Sequence, residues 1–291
     1  MQANDGAKVN KKYKDTLFRL LFGENKENAL SLYNAVNGSS YTSTDDLEFT
    51  TLEDVIYMKM KNDISFLFGK SLNLYEHQSS YNPNMPLRGL MYFADLYRQL
   101  IPESERLYGQ RLVKIPTPKY IVFYNGNDKS MDSDRVELRL SDAFDRPDET
   151  QGFEWTATMI NINYGENKEI LKKCKVLSDY SFFIAKIKQY NTQMELKAAI
   201  DAAIKECISQ DILSNVLMKH RREVIDMCLT EFDEKKYGEI VREEGREEGR
   251  EEGRILQIVE LVKKGFLDET IAQQESGLSK EDFQKKLFQK V

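Results

Sequence analysis

Asp63 and the triplet Glu76-His77-Gln78 stand at the two ends of a segment whose pattern predicts a β-hairpin. Because side chains alternate along a strand, we expect Glu76 and Gln78 on one face and His77 on the other. If the two strands pair, Asp63 lies close to Glu76. Two carboxylates held on neighbouring strands form a hard-oxygen site suited to Mg²⁺, an ion that keeps much of its own water. A cation held in this way can activate water and stabilise charge on a phosphate under attack.

The same residues also fit a less specific interpretation. Paired acids are common on sheets, so Asp63 and Glu76 alone are also compatible with a surface ladder of polar side chains. His77 should face away from the two acids, where a lone histidine more often packs or hydrogen-bonds than takes part in catalysis.

The elements that must position these residues form a mixed pattern of helices and strands. Apolar spacing predicts helices over 13–22, 27–36 and 87–101, and strands over 47–52, 55–60, 120–124, 136–140 and 155–162, besides the hairpin with Gly69-Lys70 near its turn. This order predicts an α/β fold of the mixed α+β kind, in which a central mixed sheet is flanked by helices.

The composition indicates a folded, reduced protein that does not span a membrane. The chain has 291 residues, 11% aromatic residues and a formal net charge of −6, and it has no apolar run of the length that spans a bilayer. Its first ten residues lack the apolar core of a signal peptide. Cys174, Cys207 and Cys228 include no Cys-x-x-Cys pair, so we expect free thiols in a cytoplasmic protein.

The charge balance argues mildly against a general nucleic-acid coat, whose affinity comes from neutralising phosphates. A local patch is still compatible with the sequence, because basic residues outnumber acidic ones over residues 88–120. The same stretch also fits an ordinary solvated helix and loop.

The chain becomes helical beyond Gly165. Helical spacing covers 170–190, 194–209 and 211–229, and a repeat of Arg-Glu-Glu-Gly begins at Arg242. Arg–Glu pairs favour a helix over the repeat, whereas its glycines oppose one, so it is either a marginal solvated helix or a flexible linker. The last segment predicts a helical hairpin that either binds DNA in helix-turn-helix fashion or mediates self-association. We therefore divide the chain into a core over 1–165, a helical extension over 166–237, the repeat over 238–254 and the hairpin over 255–291.

The string from Tyr75 to Arg88, YEHQSSYNPNMPLR, together with Lys14-Asp15-Thr16-Leu17-Phe18 upstream, resembles the recombination-promoting nuclease and putative transposase family. That family belongs to the PD-(D/E)XK nuclease superfamily. The resemblance covers residues from about 13 to 291, and the Arg-Glu-Glu-Gly repeat is similar to tails that many members carry. It is most specific at Glu-His-Gln-Ser-Ser and only general in the helical region.

The resemblance implies a restriction-endonuclease-like core that cuts DNA with Mg²⁺ or another divalent cation. On that pattern Asp63 and Glu76 would be metal ligands, and Asp15 would complete the metal site. Gln78 would be the third catalytic residue, standing where the superfamily usually has lysine. A lysine there is a cation, whereas glutamine offers neutral hydrogen bonds. Arg88, at the start of the crossover helix, would touch a DNA phosphate or form a surface ion pair.

The expected function is therefore a metal-dependent DNA endonuclease associated with recombination, mobile elements or phage defence. Two-strand cutting usually needs two sites, and the C-terminal region offers a means of forming a homo-oligomer. The alternatives are a DNA-binding transposition accessory with weak or no catalysis, and an oligomerising interaction protein built on a decayed nuclease core.

Overall fold

The computed structural model describes residues 16–50, 63–101, 107–126, 131, 133–146, 152–276, 278, 283, 284, 286 and 287. The predicted strand over 55–60 and Asp15 lie outside these residues. The chain divides after Glu231 into two compact units. The first contains the sheet and the helices up to the start of α8, and the second contains the rest of α8 and α9.

The described part of the chain forms one mixed sheet of six strands. These are β1 (Leu47–Phe49), β2 (Ile64–Phe68), β3 (Ser71–Gln78), β4 (Thr117–Tyr124), β5 (Arg135–Arg139) and β6 (Thr156–Asn161). Their order across the sheet is β1-β2-β3-β4-β6-β5. The central neighbours β3–β4 and β4–β6 are parallel, whereas β1–β2, β2–β3 and β5–β6 are antiparallel. The predicted mixed sheet with flanking helices is thus confirmed.

Helices cover both faces of this sheet. The first are α1 (Leu17–Phe22), α2 (Lys26–Asn37) and α3 (Met85–Leu100), the last of which is the crossover between the parallel strands β3 and β4. Leu72 and Leu74 of β3 pack in one cluster with Tyr92 and Phe93 of α3. On the opposite face, Phe18 of α1 lies against Phe123 of β4.

The remaining helices form the predicted helical region. They are α4 (Lys168–Lys173), α5 (Lys175–Asn191), α6 (Leu196–Ser209), α7 (Ser214–Lys219), α8 (Arg221–Lys263) and α9 (Glu269–Ser276). None of the helices in the described ranges is long and apolar enough to cross a bilayer. The three cysteines are free and buried, as expected.

Two predicted helices are each interrupted. The pattern over 170–190 splits at Cys174, whose backbone is extended and whose buried thiol accepts a hydrogen bond from the Ser31 hydroxyl at 3.5 Å. The pattern over 211–229 is divided by His220 between α7 and α8, and Leu213 before α7 adopts a left-handed conformation. The apolar spacing continues across both breaks and therefore does not indicate where the helices end.

The Arg-Glu-Glu-Gly repeat lies within α8, so of the two alternatives the structure has the helix. Beyond it, Ile255 and Val259 of α8 pack with Ala272 of α9 and with Phe283. A helical C-terminal region is thus confirmed, while the predicted boundaries at 165, 237 and 254 remain predictions.

The first testable prediction concerns Gly89, where α3 meets the sheet. A Cβ atom at this position would lie 2.2 Å from the Tyr120 ring, which is part of the buried cluster. We expect Gly89→Ala to lower the free energy of unfolding by about 1–3 kcal/mol through overpacking, measured by chemical denaturation. Gly253→Ala is the matched control, because a Cβ there meets open space and alanine favours a helix by up to about 1 kcal/mol. A Gly89→Ala protein as stable as the parent would contradict the close packing of α3.

Candidate metal and phosphate site

The hairpin that carries the candidate residues is formed by β2 and β3. The strands pair antiparallel with Ile64 opposite Tyr75 and Phe68 opposite Ser71, and Gly69 turns the chain with a positive φ of 57°. Asp63 immediately precedes β2, so the register brings it alongside Glu76 on β3. The predicted hairpin and the predicted proximity of the two acids are both confirmed.

Two hydrogen bonds join the Asp63 and Glu76 segments. The Asp63 N–H donates to Glu76 Oε1 at 3.0 Å, and the His77 N–H donates to Asp63 Oδ2 at 2.7 Å. Each carboxylate therefore accepts a backbone donor from the opposite side of the hairpin, and hydrogen bonds from backbone N–H groups favour the ionised form of a carboxylate.

The Glu76 carboxylate is held in an environment that opposes its charge. The residue is 1% exposed. Burial raises the pKa of Glu76 well above its usual range, and the nearby Asp63 charge raises it further, while Arg88 acts in the opposite direction. Strongly perturbed carboxyl groups with a specific charged neighbour are typical of functional sites.

Arg88 on α3 supplies the compensating positive charge. Its Nη2 lies 3.1 Å from Glu76 Oε2 and 3.2 Å from the Tyr92 hydroxyl, and Nη1 lies 3.5 Å from Met85 Sδ. Its guanidinium carbon also lies 5.8 Å from the centre of the Tyr92 ring. Arg88 therefore forms an ion pair whose carboxylate is buried, while the Arg88 side chain itself keeps 31% exposure. A contact between Arg88 and a DNA phosphate stays a prediction.

His77 and Gln78 have different surroundings. The His77 ring is buried, stacks on Phe18 with 5.3 Å between ring centres, and places Nε2 3.0 Å from the Tyr180 hydroxyl. Burial, with a contribution from Lys188, lowers the pKa of His77 to about 3, so the ring is neutral at physiological pH. Its expected packing role is confirmed. Gln78 is partly exposed and donates from Nε2 to the His77 carbonyl at 2.8 Å.

The donor chemistry of this pair fits Mg²⁺. Carboxylate oxygens are the ligands this ion prefers, and one or two carboxylates suffice when waters fill the other positions. A group of three or more acidic, histidine or cysteine ligands is not found within the described residues, and Asp15 lies outside them. Two carboxylates are therefore the protein ligands that this part of the chain offers.

A buried hydroxyl beside the pair supports the same fit. Tyr120 Oη is buried and has no hydrogen-bond partner in the described part of the chain. Burial raises the pKa of Tyr120, and the negative charge of Glu76 raises it further. The hydroxyl is therefore neutral, and it lies near enough to Glu76 to interact with that charge. A neutral hydroxyl there can donate a hydrogen bond to an oxygen held at Glu76.

Tyr92 and Tyr120 were not predicted from the sequence as members of this site. Tyr92 stands four residues after Arg88 on a helix, so the two share a face, and that spacing was a usable signal. Tyr120 lies within β4 and carries no comparable signal, because its role depends on the parallel pairing of β3 with β4.

Comparisons with known proteins add no relative: no family model, curated protein or solved structure matches this chain. The resemblance to the recombination-promoting nucleases is therefore neither strengthened nor weakened, and the site must be interpreted from its own geometry.

The second prediction tests the charge compensation at Glu76. Arg88→Met removes the cation and leaves the buried carboxyl with one donor fewer, so we expect a loss of about 1–3 kcal/mol in the free energy of unfolding. Arg98→Met is the matched control on the same helix, because Arg98 is mostly exposed and pairs with Asp95 at the surface, where less than about 1 kcal/mol is expected.

A double-mutant cycle identifies the origin of that loss. If the Arg88→Met penalty arises from Glu76, the penalty is smaller in a Glu76→Gln background, since no buried charge is then left unpaired. Equal penalties in the two backgrounds would show that Arg88 stabilises the fold by other contacts.

Proposed function

We propose that this protein is a Mg²⁺-dependent DNA endonuclease that hydrolyses phosphodiester bonds at the Asp63–Glu76 pair. The single observation that carries the proposal is that Asp63 and Glu76 lie opposite each other across the hairpin, where each carboxylate accepts a backbone N–H from the other strand's segment, at 3.0 Å and 2.7 Å. The motif resemblance points to the same two residues and to DNA as the substrate. We also propose that the protein acts in the cytoplasm and that its C-terminal region joins copies of the chain into a homo-oligomer.

The protein's own residues have distinct tasks in this proposal. Asp63 and Glu76 would hold the ion, which when bound supplies a water of lowered pKa and positive charge near the phosphate. Gln78 would position the attacking water by neutral hydrogen bonds, using its amide oxygen or the Nε2 hydrogen that does not bind the His77 carbonyl. Arg88 neutralises Glu76 in the structure and, on sharing or releasing that contact, offers its guanidinium to a phosphate oxygen.

A second candidate is a DNA-binding accessory that does not cut. The observation that favours it is Arg88, which already occupies Glu76 Oε2 at 3.1 Å and so competes with a cation for that oxygen. The neutral Gln78 also leaves the site without the lysine that the superfamily pattern has. In this alternative the same surface binds the DNA backbone without cutting it. The third candidate is an interaction protein that has no affinity for DNA.

The third prediction is a cleavage experiment on supercoiled plasmid DNA with Mg²⁺. We expect Asp63→Asn and Glu76→Gln each to reduce cleavage about 100-fold or more, because several kcal/mol of charge stabilisation is lost. Glu48→Gln is the matched control: it lies exposed on β1 of the same sheet, and cleavage should stay at the parent rate. Thermal unfolding of each variant checks that the fold is kept.

Each outcome separates the candidates. Equal cleavage by the parent and both site variants would place the activity elsewhere and overturn the proposed site. Binding of DNA by the parent without cleavage at any Mg²⁺ concentration would favour the accessory, and neither binding nor cleavage would favour the interaction protein.

The fourth prediction concerns Gln78. A lysine at this position adds a cation beside the phosphate that is attacked, so we expect Gln78→Lys to cleave at least as fast as the parent, and up to about tenfold faster. Gln78→Leu keeps a similar volume without hydrogen bonds and should cleave about tenfold more slowly. The measurement is the initial nicking rate at saturating Mg²⁺. Faster cleavage by Gln78→Leu than by the parent would exclude a positioning role for the amide.

A further inference from the structure

A second cleft lies on the first unit, away from the acid pair. It has a volume of about 650 Å³ and is lined by the loop after α2, the β2–β3 turn and the start of β4. Its lining includes Tyr41, Lys70, Ser71, Thr117 and Lys119. Cavities of this volume accommodate small ligands of nucleotide size.

This cleft is separate from the Asp63–Glu76 site. Ser71 and Glu76 lie five residues apart on β3, which corresponds to about 17 Å along the strand. The two side chains also point to opposite faces, because five is an odd number of residues. Glu76 faces α3 through Arg88, whereas Phe68, which lines the cleft, packs against Tyr33 of α2.

Tyr41 presents an exposed aromatic ring in a fixed position. The residue is 56% exposed, yet its backbone N–H donates to Asn34 Oδ1 at 3.0 Å and its carbonyl accepts from Asn34 Nδ2 at 2.8 Å. Its ring packs edge-on against Phe68 with 5.1 Å between ring centres. A ring held in this way loses little conformational freedom when a flat ligand stacks on it.

Two lysines supply positive charge to the same cleft. Lys70 lies in the hairpin turn and its carbonyl accepts from the Thr117 N–H at 2.8 Å, which brings the turn beside the start of β4, where Lys119 follows two residues later. Neither ammonium group has an ion-pair partner among the residues that the structure describes. Asp46 also lines the cleft, leaving one net positive charge from these three groups. Hydroxyl groups of Ser40, Thr42 and Thr117 add hydrogen-bonding capacity.

We propose that this cleft binds a nucleoside phosphate, with the base stacked on Tyr41 and the phosphate held by Lys70 and Lys119. The combination of a fixed exposed ring, two lysines and several hydroxyls matches the parts of such a ligand. The nucleoside phosphate is either free or one unit of a single strand. The inference does not depend on the proposed nuclease activity, because it uses neither Asp63 nor Glu76.

The test is calorimetric titration of the full chain with AMP, adenosine and inorganic phosphate as separate probes. We expect AMP to bind at least about tenfold more tightly than either fragment, because it engages both halves of the cleft. Tyr41→Ala should weaken AMP about tenfold without changing the fold, since base stacking on an aromatic side chain contributes an effect of this order. Lys70→Gln combined with Lys119→Gln should weaken AMP and phosphate while leaving adenosine unchanged.

Two control variants show whether a change in AMP binding is specific to this cleft. Tyr164 is 53% exposed and also packs edge-on against another ring, Phe182, so Tyr164→Ala should leave AMP binding unchanged. Glu76→Gln should also leave it unchanged, which separates this site from the proposed nuclease centre.

The titrations test whether the cleft binds a nucleoside phosphate and whether that ligand is free or part of a nucleic-acid strand. No binding of AMP at millimolar concentration, equal affinity for phosphate and AMP, or an AMP affinity insensitive to Tyr41→Ala would each overturn it. If an oligodeoxyadenylate of about eight nucleotides displaces AMP and binds more tightly than AMP, the natural ligand is a single strand of nucleic acid. If AMP binds and the oligonucleotide does not compete, the ligand is a free nucleotide.

Discussion

The burial of the Glu76 carboxylate between β3 and α3 is the constraint on which the rest of the site depends. An ionised carboxyl taken out of water is strongly disfavoured unless charge and hydrogen bonds compensate for the lost hydration. Here a backbone N–H from Asp63 and the guanidinium of Arg88 provide that compensation. These two contacts join the start of β2 and the first turns of α3 to the same carboxylate.

The same compensation links the fold to the proposed chemistry. A divalent cation and Arg88 are both positively charged, so each of them favours the ionised form of the Glu76 carboxyl. The Tyr92 hydroxyl, 3.2 Å from Arg88 Nη2, helps to hold the guanidinium where it is. On this account Arg88 keeps the site folded in the absence of metal and becomes available to a phosphate when a cation takes over the charge of Glu76.

Much of this arrangement could be predicted from the sequence, because it depends on local signals. The alternation of β3, the turn at Gly69-Lys70 and the helical spacing from residue 87 place Asp63, Glu76 and Arg88 in or beside the correct elements. The breaks at Cys174 and His220 could not be predicted, because neither residue is a helix breaker and the apolar spacing continues across both. The position of Tyr120 depends on the order of the strands in the sheet. The cleft at Tyr41 depends on a loop that the Asn34 side chain holds in place.

The proposed nuclease requires that Asp63 and Glu76 together bind a divalent cation. The most direct measurement is an anomalous difference map from crystals of the full chain soaked in Mn²⁺, which takes the same oxygen ligands as Mg²⁺. We expect a peak within about 2.0–2.3 Å of a carboxylate oxygen from each residue, and its loss in crystals of Asp63→Asn. Well-ordered density for both carboxylates without such a peak, or a peak that persists in Asp63→Asn, would contradict it.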